Sequence, residues 1–187
     1  MKLIGIISIE GISKVKLLGF YLIILSLWLV LTSLADRFVG GDTYEGLVLI
    51  DKFRYYGILI GGMAVVVILH EGLHGLGFLI YGGKVKFGAT IKTKFGLVFY
   101  ATSPNTFYSR NQMIVIALLP QIMTVGLLAS AFVFNMTPMM AWVVVMLAVV
   151  NLIGGSMDIL GSCWLATFPR SSLVEDAITE ARVFIKN

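Results

Sequence analysis

The sequence predicts a mainly α-helical, polytopic membrane protein with four transmembrane helices, a small cytoplasmic β-hairpin and a C-terminal amphipathic helix. Three observations carry that reading. The chain is 58% hydrophobic and only 13% charged, with a mean hydropathy of +0.95, a balance foreign to soluble domains. Its apolar residues gather into four runs close to or above the ~20 residues a helix needs to cross hydrocarbon. Its basic residues fall between those runs on alternate sides.

The elements follow in order. Lys2, Lys14 and Lys16 precede a first apolar run, 17–34. Ser33-Leu34-Ala35 resembles a small-residue cleavage site, but sixteen residues including Glu10 precede the run, so an uncleaved helix is expected. A loop mixing Asp36, Asp42, Glu45 and Asp51 with Arg37, Lys52 and Arg54 leads into the second run, 57–81. The next connection, 82–110, holds Lys84, Lys86, Lys92, Lys94 and Arg110 and no acid. Within it, 84–89 and 95–100 are short, partly alternating and rich in β-branched and aromatic residues, with Lys92-Thr93-Lys94 between them. That pattern predicts a β-hairpin, which covers helix ends or offers an edge for an extended chain.

The third run, 113–134, contains Pro120-Gln121 and Thr124. Proline frees a carbonyl in the preceding turn, and lipid cannot satisfy it, so this face is expected to look into the bundle. After an uncharged turn, the fourth run, 139–168, carries Asn151, Gly154-Gly155, Ser156 and Asp158, which predicts a bend near the double glycine. Ser172 and Glu175 are spaced as a capping box, and Leu173, Ala177, Ile178, Ala181 and Ile185 form an apolar stripe, so a short amphipathic helix is expected to close the chain. One domain, 1–187, accommodates these elements. By the positive-inside rule both termini and the 82–110 connection are cytoplasmic, in a multi-pass protein of the cell membrane. The net charge of +4 thus has a topological origin and is no nucleic-acid footprint. Cys163 is alone, which excludes an internal disulfide.

Inside the second run lies His70-Glu71-Gly72-Leu73-His74, and these are the only two histidines of the chain. Residues four apart share one helix face, a spacing that suits two nitrogen ligands on one Zn²⁺ with the intervening Glu71 as general base. The flanks, 65–69 and 76–80, are apolar, so a solvated surface helix does not explain the motif. Ionisable groups at bilayer depth cost about 2.5–3.5 kcal/mol each even on lenient scales, and a metal supplies a reason for three within five residues. The competing explanation is a histidine pair hydrogen-bonded within the bundle.

A catalytic zinc wants three protein ligands and an open position. Asp158 is the only acid besides Glu71 within any apolar run. His70 and Asp158 also lie at equal depth, each about 15 Å from the inner helix end at ~1.5 Å rise per residue. The competing third ligands are Glu175 and Asp176, both of which read as solvated.

With these residues in view, the chain resembles the integral-membrane zincin clan that includes the site-2 proteases, and most closely a small bacterial and archaeal zincin-peptidase family. The resemblance spans roughly 57–165 and rests on His70–His74 in one membrane helix, the hairpin after it, and Asn151–Asp158 in a later helix. In site-2 proteases the later motif is an asparagine, a proline-containing stretch and Leu-Asp-Gly. Here the proline is missing, Asp158 is followed by Ile159, and the Asn-to-Asp spacing is shorter by one. The resemblance implies zinc binding by Asp158 and substrate binding by Asn151.

The function read from the sequence is a zinc metalloendopeptidase acting on membrane-tethered polypeptides, with His70, His74 and Asp158 on Zn²⁺ and Glu71 as base. Its expected partners are such a substrate and the lipid bilayer. Two other classes are compatible with the motif: a non-catalytic zinc-binding assembly factor or pseudo-protease, and a small metal or proton transporter component. Intact Glu71 disfavours a pseudo-protease, and polar groups gathered at one depth disfavour a transporter.

Overall fold

The computed structural model describes residues 1–8, 49–93, 96–177 and 180–186, together with 18–19, 22–23, 25–26, 29–30 and 33, which are helical. Half of the expected first span, 17–34, therefore lies outside the described residues. The described elements are β1 (Lys2–Ser8), α1 (Leu49–Ile80), β2 (Lys86–Thr93), β3 (Gly96–Thr102), β4 (Phe107–Ser109), α2 (Arg110–Leu118), α3 (Gln121–Val133), α4 (Pro138–Gly154), α5 (Ser156–Ala166), β5 (Leu173–Ala177) and β6 (Glu180–Ile185). The chain divides into two compact units, one made of Met1–Lys14, Leu69–Pro120 and Gly155–Asn187, the other of Val15–Ile68 and Gln121–Gly154.

Among the described residues, Leu49–Ile80 and Arg110–Val133 are long and apolar enough to cross a membrane, and Pro138–Gly154 with Ser156–Ala166 makes a third span if the two are taken as one broken helix. α1 has 32 residues, about 48 Å at the α-helical rise and more than a hydrocarbon core needs. It ends in a Schellman motif. Gly82 adopts φ +80°, its N–H reaches Leu79 O at 3.0 Å, and the Gly83 N–H reaches Phe78 O at 2.9 Å. Glycine takes this left-handed position without the steric cost of a Cβ. The expected hairpin is present, β2 pairing antiparallel with β3 in the register Phe87↔Ala101 and Ala89↔Phe99. The fourth run breaks where the double glycine stands, with Gly155 between α4 and α5.

The carboxy-terminal helix is a correction. Residues 173–185 form an antiparallel hairpin, β5 against β6, with Val174 opposite Val183. That hairpin belongs to a four-stranded sheet of order β1-β6-β5-β4. The stripe that suggested a helix omits Val174 and Val183, yet both are fully buried. Tertiary partners decided the matter: Leu3 pairs with Phe184 and Tyr108 with Val174, contacts too distant in sequence for a local pattern to register. The capping box expected at Ser172 is absent, and one forms instead at Ser109 and Gln112, where each residue's side chain meets the other's backbone N–H.

The core of the first unit gathers Phe78 of α1, Tyr108 of β4, Met113 and Ile116 of α2, Leu165 of α5, Val174 and Val183. Three helices and the sheet thus share one apolar cluster. Arg110 ties the end of α5 down, its guanidinium donating to the carbonyls of Ala166 at 3.3 Å and Phe168 at 2.6 Å. In the second unit Met146 and Val149 of α4 pack with Leu59 of α1.

Candidate metal centre

One turn of α1 and the first turn of α5 bring three donors to one point. His70 and His74 project from the same face of α1, and both are buried. Asp158 is the third residue of α5, in its first turn, where the aligned backbone dipoles favour negative charge. The break at Gly155 therefore does more than bend a long apolar run: it gives the aspartate a helix amino terminus. Asp158 Oδ2 lies 3.2 Å from His70 Nε2 and 3.4 Å from His74 Nε2. The ligand atoms of all three residues fall within 4.8 Å of one another.

These distances fit a metal. A tetrahedral zinc with bonds of about 2.0–2.1 Å has ligand–ligand edges of about 3.3–3.4 Å. The donor chemistry agrees. His74 Nδ1 donates to the Ile116 carbonyl at 3.0 Å, so in a neutral imidazole Nε2 carries a lone pair. An ionised aspartate offers only acceptors. Two lone pairs 3.4 Å apart repel unless a cation stands between them. Two imidazoles and one carboxylate are a zinc donor set.

Glu71 follows His70 on α1 and is half-buried. Its carboxylate accepts the Ala101 backbone N–H of β3 and lies within electrostatic range of His70, His74 and Asp158. The hairpin thus supplies a backbone amide to the acid beside the metal-ligating set. Two residues on, the Ser103 N–H is taken by Asp176, which also accepts the Thr102 hydroxyl at 2.6 Å. The end of β3 and the residue that follows it thus serve both carboxylates.

Asp176 was expected to be solvated. Instead burial pushes its carboxyl up to about 6, against the opposing pull of Thr102, Ser103 and His74. It nevertheless stays outside the three-residue cluster, as does Glu175, which pairs with Arg182 at 3.6 Å. Asn151 lies in the second unit, buried on α4, where its amide donates to Thr124 Oγ1 of α3 at 2.7 Å. The Ile116 carbonyl has no side-chain signal in the sequence, but Pro120 four residues later is a visible one.

An H-E-x-x-H pair on α1 and a carboxylate brought to the same point define a zincin-like site, in a chain with described helices long and apolar enough to span a membrane. Residues 63–173 match the family described as "Putative zincin peptidase", and the chain belongs to that family. Zinc is the metal the family implies. No curated protein and no solved structure matches the chain.

Proposed function

We propose that this protein is a membrane-embedded zinc peptidase that hydrolyses peptide bonds of membrane-tethered polypeptides. The observation that carries the proposal is the convergence of His70, His74 and Asp158 at the edge lengths of a tetrahedral site, beside an acid on the same helix. His70, His74 and Asp158 would hold the zinc, which supplies Lewis acidity toward a scissile carbonyl and toward water. Glu71 takes the proton of the attacking water and delivers it to the leaving amine. The Ala101 amide holds Glu71 while it waits. An extended substrate lying along the outer edge of β3 would present its backbone beside Glu71, a form of strand addition. Assignment of Asn151 to the substrate rests on the resemblance alone.

The sheet supports the membrane orientation read from the lysines. β1 pairs with β6 and β4 pairs with β5, so the amino-terminal strand, the end of the 82–110 connection and the carboxy-terminal hairpin lie on one side of a bilayer. The positive-inside pattern makes that side cytoplasmic. In this orientation α1 runs toward the cytoplasmic side, in keeping with the additional span expected from the sequence at 17–34.

Glu71→Gln tests the reading. The amide keeps size and hydrogen bonding but removes the base, so zinc content should stay as in wild type while hydrolysis falls about 10²–10⁴-fold. In cells, uncut single-span proteins should accumulate beside the variant. Full complementation of a deletion strain by Glu71→Gln would remove catalysis from the function and leave the scaffold reading.

A further inference from the structure

The third apolar run carries its proline at a position with a specific consequence. In an α-helix the N–H of residue i bonds the carbonyl of residue i−4. Residue 120 should therefore bond the carbonyl of Ile116, and proline has no N–H to offer. The backbone around it is otherwise helical: Leu119 adopts φ −56° and ψ −40°, and its N–H reaches Val115 O as a regular helix requires. The carbonyl left over is the one that His74 Nδ1 engages at 3.0 Å. Both members of that bond are buried, as is Pro120 itself.

The approach is close because α1 is bare at Gly77. A Cβ there would sit 3.2 Å from Ile116 Cγ1 and 3.3 Å from Ile116 Cα, tighter than ordinary packing. Gly77 lies nearly one turn beyond His74, so the same contact that seats α2 on α1 brings the freed carbonyl to the imidazole. A proline ring also crowds the carbonyl four residues before it, tilting that oxygen out of the helix ladder and toward a neighbouring donor.

We propose that Pro120 is a positioning residue for His74. By withholding the N–H that would occupy the Ile116 carbonyl, it provides an acceptor inside an apolar helix. That acceptor holds the proton of His74 on Nδ1 and turns the Nε2 lone pair toward Asp158. A metal-ligating histidine generally needs such a partner on its other nitrogen, and loss of one typically costs 10–100-fold in metal affinity. Here the partner is main chain, so no substitution at position 116 can remove it, and the proline four residues on is the side chain that creates it. The inference rests on the reading of His74 as a zinc ligand for its functional consequence, but the hydrogen bond itself can be tested without metal.

The experiment uses full-length protein in detergent, as wild type, Pro120→Ala and Gly77→Ala. Zinc affinity is read by competition with a chelator, and the His74 tautomer by ¹⁵N resonance of the metal-free protein. Alanine at 120 restores the competing N–H and relaxes the tilted carbonyl. It should weaken zinc binding at least tenfold, with helix content retained, and shift His74 from an Nδ1–H form to a mixture of tautomers. Gly77→Ala, which pushes Ile116 away without touching the proline, should move both readouts the same way and serves if the first variant does not fold. Unchanged zinc affinity and unchanged protonation of His74 Nδ1 in Pro120→Ala would overturn the proposal, as would a wild-type His74 whose Nδ1 carries no proton. If wild type holds no zinc, the metal reading fails separately, and the tautomer comparison still decides whether Pro120 orients His74.

Discussion

Asp158 Oδ2 lies 3.2 Å from His70 Nε2 across 88 residues of sequence, and the same oxygen lies 3.4 Å from His74. One carboxylate oxygen therefore faces both imidazoles. Removal of the third donor should separate it from the other acids nearby. Asp158→Ala should lose zinc strongly, while Glu175→Ala and Asp176→Ala should bind it, since both stand outside the cluster. Chelator competition on the three variants checks this, and zinc loss in Asp176→Ala with retention in Asp158→Ala would reassign the ligand.

Asp176 should leave a mark on the pH dependence of stability. Its carboxyl is raised to about 6 from an ordinary 3.8 because burial disfavours the charge, so the native state binds this proton more tightly than the unfolded chain does. Its contribution is fully present below about 3.8, declines as pH rises, and is gone above about 6. Asp176→Asn stays neutral throughout, so thermal melts between pH 4 and 7 should slope less steeply for the variant than for wild type. Equal slopes would show that this carboxyl ionises as freely in the protein as in water.

Gly83 should resist substitution for a steric reason. A Cβ at that position would overlap Tyr108 Oη and Ser103 Oγ, two atoms joined to each other by a 2.7 Å hydrogen bond and carried by buried residues. Gly83→Ala is expected to cost about 1–3 kcal/mol, the usual range for overpacking. Tyr108→Phe in the same background should recover part of it. A lowered Tm in detergent, partly restored in the double variant, is the expected pattern.

The carboxy-terminal hairpin offers a check on the sheet. Val174 and Val183 are opposite each other and fully buried, so truncating either removes packed methyl groups and leaves a cavity. Val183→Ala should destabilise the protein, whereas Lys186→Ala, past the end of β6, should not. Equal melting of the two would be incompatible with the sheet.

The site was more legible in the sequence than the fold around it. His70 and His74 announced themselves because charge in an apolar run is expensive, and Asp158 because it was the sole remaining acid at their depth. The 86–102 hairpin was readable from local alternation, although Lys92 and Thr93, expected in its turn, belong to β2. The strands at the two ends were not. Leu3 needs Phe184 and Tyr108 needs Val174, and no window along the chain contains both partners. The stripe from Leu173 to Ile185 mimicked a helix, while the two valines that fill the core lay off it. Asp176 read as solvated because its partners, Thr102 and Ser103, come from a different strand. Pro120 was legible as a breaker of helix bonds, but its consequence waited on knowing that the freed carbonyl meets His74.

Metal analysis with X-ray absorption at the zinc edge, on protein purified without added metal, tests the central claim most directly. Wild type should hold about one zinc per chain, ligated only by nitrogen and oxygen at about 2.0–2.1 Å, and His74→Ala should hold far less. Equal zinc in wild type and His74→Ala, or sulfur in the first shell, for which Cys163 is the only thiol of the chain, would contradict the site.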